Sequence, residues 1–304
     1  MLEIAIMIEG QNGLTWPRWQ NIAAAVEDLG FAGLYRSDHF TNAASPDKES
    51  LELWVSLTWL ASHTKRIEFG PLVSPVSFRH PALTARMAAA VDDLSDGRLM
   101  LGLGAGWQER EHNLFGFELL DLKSRFNRFE EGLEVITRLL KSEAAVDFEG
   151  KYFQLRGATL LPHPIRPGGP RILIGGNGEK RTIPLVAKYA DEWNAVFLQP
   201  AELARLNASL DGVLLSHDRE PKSVKRSLMT GLFFGRTRKE LDRKLSARHN
   251  TGSGLRKRGL VVGVGQEIKE QLNEVEKTGV QRVMLQWLDL DDLKGLEALA
   301  KVVL

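Results

Sequence analysis

The sequence contains no cysteine. That excludes disulfides, thiolate zinc sites, iron–sulfur clusters and a cysteine nucleophile. Any redox chemistry must then come from a bound organic cofactor. Charge of one sign is lacking too: 40 Lys and Arg stand against 39 Asp and Glu, a formal net charge of +1. A nucleic-acid binder clusters cations for phosphate contacts, and this balance argues against one. No apolar run approaches the ~20 residues of a membrane span. The opening MLEIAIMIEG has no basic residue ahead of its apolar stretch, so it reads as a first strand and not as a secretory signal. No long repeat or low-complexity segment is present. These absences predict a soluble, cytoplasmic protein with a small-molecule substrate and no nucleic-acid or membrane partner.

Several catalytic signatures are also missing. No His-x-His follows the first apolar run, and His63, His80, His112 and His163 are scattered without metal-ligand spacing; no metal is expected. No lysine lies inside a predicted strand, against a Schiff-base aldolase. There is no Gly-x-Ser-x-Gly elbow. Glu109 and Glu111 are too close in sequence to make the acid pair of a glycosidase.

What is present is a rhythm. Short apolar runs at 4–8, 32–36, 67–73, 99–103, 171–174, 192–197, 227–234 and 282–287 alternate with amphipathic stretches. Helices are predicted over 16–29, 51–62, 81–94, 125–140, 180–189, from 200, over 238–246 and 266–277, and to the C-terminus. Residues 142–170 interrupt the rhythm. VDFEGKYFQL predicts a hairpin turning at Glu149-Gly150, and PHPIRPGGP a rigid connector. Eight strand–helix units with right-handed crossovers predict a (β/α)8 TIM barrel. The expectation is one domain over 1–304, with a short insertion after the fourth unit. A doubly wound open sheet should carry a Gly-rich fingerprint after its first strand, and EGQNG does not match one.

In such a barrel the site lies at the C-terminal ends of the strands. Three groups of residues follow strand ends. Asp38-His39 sets a carboxylate beside an imidazole able to exchange a proton near neutrality, or His39 merely caps a loop. GGNGEKR carries Gly175, Gly176, Asn177, Gly178, Lys180 and Arg181, where free backbone N–H groups, a helix start and two cations suit an anion; a plain turn is the other reading. In LGLGAGW, Gly104, Ala105 and Gly106 allow a flat group close to the backbone beside Trp107, or they answer a packing need of the narrow barrel. The basic, Gly-rich loop at 250–259 is a candidate lid, or a solvated loop.

SDHF at 37–40, SPVSFRHPA at 74–82, SDGRLMLGLGAGWQEREHNLFGF at 95–117, RFEEGLEVI at 128–136, ILIGGNGEKR at 172–181, YADEWN at 189–194 and GVQRVMLQW at 279–287 fall in order along nearly the whole chain. Together they resemble the luciferase-like monooxygenase superfamily, in particular its coenzyme F420-dependent oxidoreductase branch. The resemblance implies hydride transfer between F420 and a small organic substrate. FMN with oxygen chemistry is the alternative, and a non-catalytic flavin-binding barrel a third. It implies that Asp38 and His39 sit by the ring, with His39 managing a proton. It implies a non-prolyl cis peptide at Leu72-Val73, with Ser74 following, behind the ring. Gly104, Ala105, Gly106 and Trp107, with Glu109 and His112, then form the facing wall, and the loop at 175–181 holds the cofactor phosphate. A homodimer is implied as well. Sugar-phosphate dehydrogenases of the branch place a glutamate directly after their Gly-x-Gly to act with the histidine. Trp107 stands there instead, so that acid–base pair is expected to be absent and an apolar substrate is favoured.

Overall fold

The computed structural model describes residues 2–304. In chain order the elements are β1 (Glu3–Ile8), α1 (Trp16–Leu29), β2 (Gly33–Arg36), α2 (Leu53–His63), β3 (Glu68–Pro71), β4 (Ser74–Pro75), α3 (Pro81–Leu94) and β5 (Met100–Gly104). Next come α4 (Glu109–Phe115), α5 (Leu122–Lys141), β6 (Val146–Glu149), β7 (Gln154–Ala158), β8 (Arg171–Gly175), α6 (Thr182–Tyr189) and β9 (Glu192–Val196). The chain ends with α7 (Pro200–Ser216), β10 (Lys225–Phe234), α8 (Arg238–Ala247), α9 (Gly252–Lys257), β11 (Val261–Gly263), α10 (Gln266–Glu276), β12 (Arg282–Gln286) and α11 (Leu293–Val303).

The main sheet runs β3-β2-β1-β12-β10-β9-β8-β5-β4, with every pairing parallel. β3 and β4 are one stretch of chain interrupted at Leu72-Val73, whose peptide bond is cis. Its first part pairs with β2 and its second with β5. A bridge between Phe69 and Leu99 joins the same two edges. The sheet thus returns on itself as the expected TIM-type barrel.

Local chemistry explains the helices that frame it. In α1, Trp19, Ile22, Ala23 and Val26 are buried at helical spacing, and Gly30 ends the helix with φ of 96°, where a Cβ would be strained. Asp121 caps α5 by accepting from the N–H groups of Lys123 and Ser124 at 2.9 and 3.2 Å. Behind that cap Phe129, Leu133, Ile136 and Leu140 are buried. The large core lies between strands and helices. A second, smaller cluster fills the lumen with Ala5, Met7, Tyr35, Leu72, Met100, Leu173, Met229 and Met284. This plug ends where the site begins.

Three expectations need correction. The segment after Trp107 contains a helix, α4, which its polar sequence EREHNLF conceals. The 250–259 segment is not a loop. Thr251 Oγ1 caps α9 by accepting from Gly254 N–H at 3.1 Å. Leu255 packs with Leu241 and Val262, and β11 pairs with β10. The insertion hairpin is β6–β7, with Glu149 still paired to Gln154, so the turn begins at Gly150. Among the described residues no helix is long and apolar enough to cross a membrane.

Candidate functional site

A cavity of about 710 Å³ opens at the C-terminal ends of the strands. β1 brings Met7 and Glu9 to it, and β2 brings Ser37 and His39. Leu72, Val73 and Pro75 come from the interrupted strand, and Gly104, Ala105, Gly106 and Trp107 from β5. Gly175, Gly176, Asn177 and Gly178 follow β8, while Asn194, Val196, Phe197 and Met229 close the far side. Glu111 of α4, the α5 residues Leu122, Arg125 and Phe126, and Thr182 of α6 complete the lining.

His39 is the group best placed for proton transfer. Its Nδ1 lies 2.7 Å from Glu111 Oε1, and Glu111 Oε2 accepts from the Phe40 backbone N–H at 3.0 Å. Both carboxylate oxygens are thus used, and Glu111 is 1% exposed. The pairing sets Nδ1 as the protonated nitrogen. Nε2 has no partner among the described residues. Burial works against a charge on His39, but the hydrogen bond and charge of Glu111, helped by Glu9 and Asp38, outweigh it and raise the His39 pKa. The Trp107 ring meets the imidazole edge-on at 5.6 Å and is itself 61% exposed, forming the outer rim. Trp107 leaves no glutamate directly after Gly-x-Gly, but a carboxylate meets the histidine by another route: Glu111 reaches it from α4, four residues beyond Trp107.

Glu9 is held by two amides, from Gln286 Nε2 at 2.6 Å and Gln11 Nε2 at 2.9 Å. Ser37 Oγ donates to Gln11 Oε1 at 2.6 Å, so the polar side of the cavity is one linked array. Met7, Leu72, Val73 and Met229 make another part of the lining apolar, continuous with the cluster that fills the lumen.

Several expected residues stand elsewhere. Asp38 points away from the cavity, as neighbours along an extended chain do. It accepts from Ser74 Oγ at 2.7 Å and forms an ion pair with Arg79. Asp38 and Ser74 therefore build the wall behind His39 and do not reach the cavity. Glu109 is exposed on the outer side of α4. His112 is buried between Gln108 and Ser77. Its Nδ1 sits 2.7 Å from the Gln108 carbonyl, so it donates there, and Nε2 accepts from the Ser77 hydroxyl at 2.8 Å. Burial is the main cause that lowers its pKa. Lys180 is exposed and outside the lining. Arg181 is turned to the Leu122 carbonyl at 2.7 Å.

The glycines within and just after β5 answer packing before they answer a ligand. A Cβ on Gly102 would stand 2.0 Å from the Pro71 carbonyl oxygen, and one on Gly104 would stand 2.6 Å from Val73 Cγ2. Gly106 has φ of +85°. Their absence of side chains lets the interrupted strand lie close to β5.

The means to hold a phosphate-bearing ring are nevertheless present. The N–H groups of Asn177 and Gly178 have no partner among the described residues, while the Asn177 side chain ties the loop to Val196 at 2.8 and 2.9 Å. Arg125 Nε is buried without a partner. Among the described residues no group of three or more His, Asp or Glu could hold a metal ion.

Comparison with known proteins adds a second line. A family model described as Luciferase-like monooxygenase matches residues 3–302. An F420-dependent glucose-6-phosphate dehydrogenase of Amycolatopsis mediterranei is 34% identical over 172 residues, covering 55% of this chain and 48% of that protein. A phthiodiolone/phenolphthiodiolone dimycocerosates ketoreductase of Mycobacterium bovis is 31% identical over 200 residues, covering 64% and 51%. The chain thus spans about half the length of these curated relatives. An F420-dependent secondary alcohol dehydrogenase, solved with an F420-acetone adduct, superposes with a TM-score of 0.86 at 18% identity, over 99% of this chain and 98% of that one. At that identity the likeness concerns the fold.

Proposed function

The chain belongs to the luciferase-like monooxygenase family, and from that premise we propose that it is an oxidoreductase transferring a hydride between coenzyme F420 and a small organic substrate. The observation that carries the reading is the His39–Glu111 pair, which turns one imidazole nitrogen to a carboxylate and leaves the other for the cavity. The F420-dependent relatives support the choice of cofactor. The unpartnered N–H groups at 177–178, the unpartnered Arg125 Nε and the apolar surfaces suit a flat ring with an anionic tail.

When bound, the deazaflavin supplies a ring carbon that gives or takes the hydride. Everything else falls to the chain. The apolar side chains of Leu72, Val73 and Met229, continuous with the lumen cluster, exclude water from the floor of the cavity. Glu111 holds His39 in one tautomer and one orientation. The raised His39 pKa keeps its proton to higher pH, which suits Nε2–H for delivering that proton to a carbonyl oxygen as the carbon is reduced. In the reverse direction neutral Nε2 accepts the hydroxyl proton.

The family's monooxygenase name favours a second reading, an FMN enzyme that activates oxygen. Fluorescence titration of the purified protein with F420 and FMN side by side separates the two. Tight F420 binding with reduction of a carbonyl substrate is expected. Tight FMN binding with oxygen consumption, and no F420 binding, would replace the first reading with the second.

A further inference from the structure

Large apolar side chains left in water gather at the mouth of the cavity. Trp107 is 61% exposed, Leu122 56% and Phe197 38%, and all three belong to the cavity lining. They come from three separate places: the segment after β5, the first turn of α5 and the segment after β9. No single helix face or strand accounts for them. Exposed apolar residues scattered singly need no explanation, but several converging on one concave opening mark a binding surface.

Trp107 is the least explained by packing. Among the described residues its one ring contact is the edge of His39 at 5.6 Å, and its indole Nε1 has no partner. The indole therefore stands next to the imidazole and keeps most of its surface open to the mouth. A group bonded to an atom held at His39 Nε2 has that surface beside it. Charge points the same way. The charges acting on His39 are those of Glu111, Glu9 and Asp38, all carboxylates. Two of them, Glu9 and Glu111, line the cavity. An anionic substrate group beside His39 would be repelled by both, whereas an uncharged apolar group would cover Trp107 and release water from it.

We propose that the substrate is an uncharged carbonyl compound, or the matching alcohol, carrying an apolar group of several carbons, and that Trp107 selects it. The oxygen lies at His39 Nε2 and the apolar group against the indole, with Leu122 and Phe197 rimming the way out. The inference rests on the reading that this cavity transfers a hydride to a carbonyl carbon while His39 protonates its oxygen. Trp107 is then a specificity residue for that reaction.

The test reads how rate depends on carbon-chain length. With reduced F420 as hydride donor, kcat/KM is measured for 2-butanone, 2-hexanone and 2-octanone, and for 5-oxohexanoate as the anionic counterpart of 2-hexanone. F420 affinity is measured separately by fluorescence titration. In wild type kcat/KM should rise about two- to fourfold per added methylene, the upper value corresponding to full burial of each CH2. The anion should fall about tenfold or more below 2-hexanone, the cost of setting its charge among carboxylates. Trp107→Ala should flatten the series, with 2-octanone losing about tenfold more than 2-butanone and the loss appearing in KM. Trp107→Phe keeps an aromatic face and should restore most of the slope. A flat wild-type series, a preference for 5-oxohexanoate, or an unchanged slope in Trp107→Ala overturns the proposal. Weakened F420 binding in Trp107→Ala with the slope kept would place Trp107 at the cofactor instead, and overturns it as well. F420 binding with no ketone reduced also overturns it, and leaves the cofactor reading standing. Should wild type bind FMN and not F420, the cofactor reading falls alone. The same ketones, titrated by calorimetry into the FMN-bound protein, then apply the same criteria to Trp107.

Discussion

At the base of the barrel Arg282 is caged by Glu3, Glu68, Glu192 and Tyr35; at the mouth His39 is clasped by Glu111 alone. Glu3, Glu68, Glu192 and Arg282 each open their strand, so they cluster at its N-terminal end. Arg282 is 2% exposed, donates from Nε to Glu3 at 2.8 Å and from Nη1 to Tyr35 and Glu192 at 2.7 and 3.0 Å, and pairs with Glu68 through Nη2. Both ends leave one atom unpartnered. At the base it is Glu192 Oε1, sealed from solvent, and burial raises the Glu192 pKa against the pull of Arg282. At the mouth it is His39 Nε2, beside a 710 Å³ cavity. Access, not residue type, separates a charge cluster that holds strands together from one that can do chemistry.

The contrast is broken most directly by exchanging one residue at each end. His39→Ala should lower turnover by about 10²–10⁴, the usual worth of a general acid or base, with an unfolding midpoint lowered less than by the exchange at the base. Unchanged turnover on a responsive substrate would remove His39 from the chemistry. Arg282→Met should do the reverse. Stripping a buried cation from its carboxylates costs about 3–5 kcal/mol, visible as an earlier urea midpoint. A midpoint shift equal to that of His39→Ala would erase the distinction between the two ends. Next in size is Gly104→Ala. Its Cβ would meet Val73 Cγ2 at 2.6 Å, an overpacking expected to cost about 1–3 kcal/mol. Full stability with altered cofactor affinity would instead make Gly104 a ligand contact.

The barrel was legible because apolar runs of four to eight residues alternate with amphipathic stretches along the chain, and α1 and α3 fall at the predicted residues, marked by Gly30 and Pro81. Short elements without an apolar face escaped: α4 has seven residues, mostly polar, and α9 has two glycines in six. The site was legible in its loops but not in its directions. His39 and Asp38 are adjacent in sequence and face opposite ways, one to the cavity and one to Arg79. Arg181, expected at an anion, turns to the Leu122 carbonyl, while Arg125, of which the sequence reading expected nothing, lines the cavity. Glu111 could have been found only by placing α4 first, since its bond to His39 crosses 72 residues.

The finest test concerns how the clasp tunes the histidine. Glu111 is the chief cause that raises the His39 pKa against burial. A group raised in the folded state stabilises it fully below the unfolded value, about 6.5 for histidine. That contribution is lost as pH rises through the higher folded value. Glu111→Gln removes the charge. It also sets an amide where a carboxylate accepted from both His39 Nδ1 and Phe40 N–H, so one of those donors must face another donor. For carbonyl reduction, the alkaline limb of the pH–rate profile, which reports loss of the His39 proton, should move to lower pH. Turnover at neutral pH should fall about tenfold, the scale of one charge-assisted hydrogen bond. The added stability of the wild type below its His39 pKa should shrink with it. A variant that loses activity equally at every pH, with the profile unmoved, would mean that Glu111 merely holds α4 against the 37–40 strand end and does not tune the imidazole.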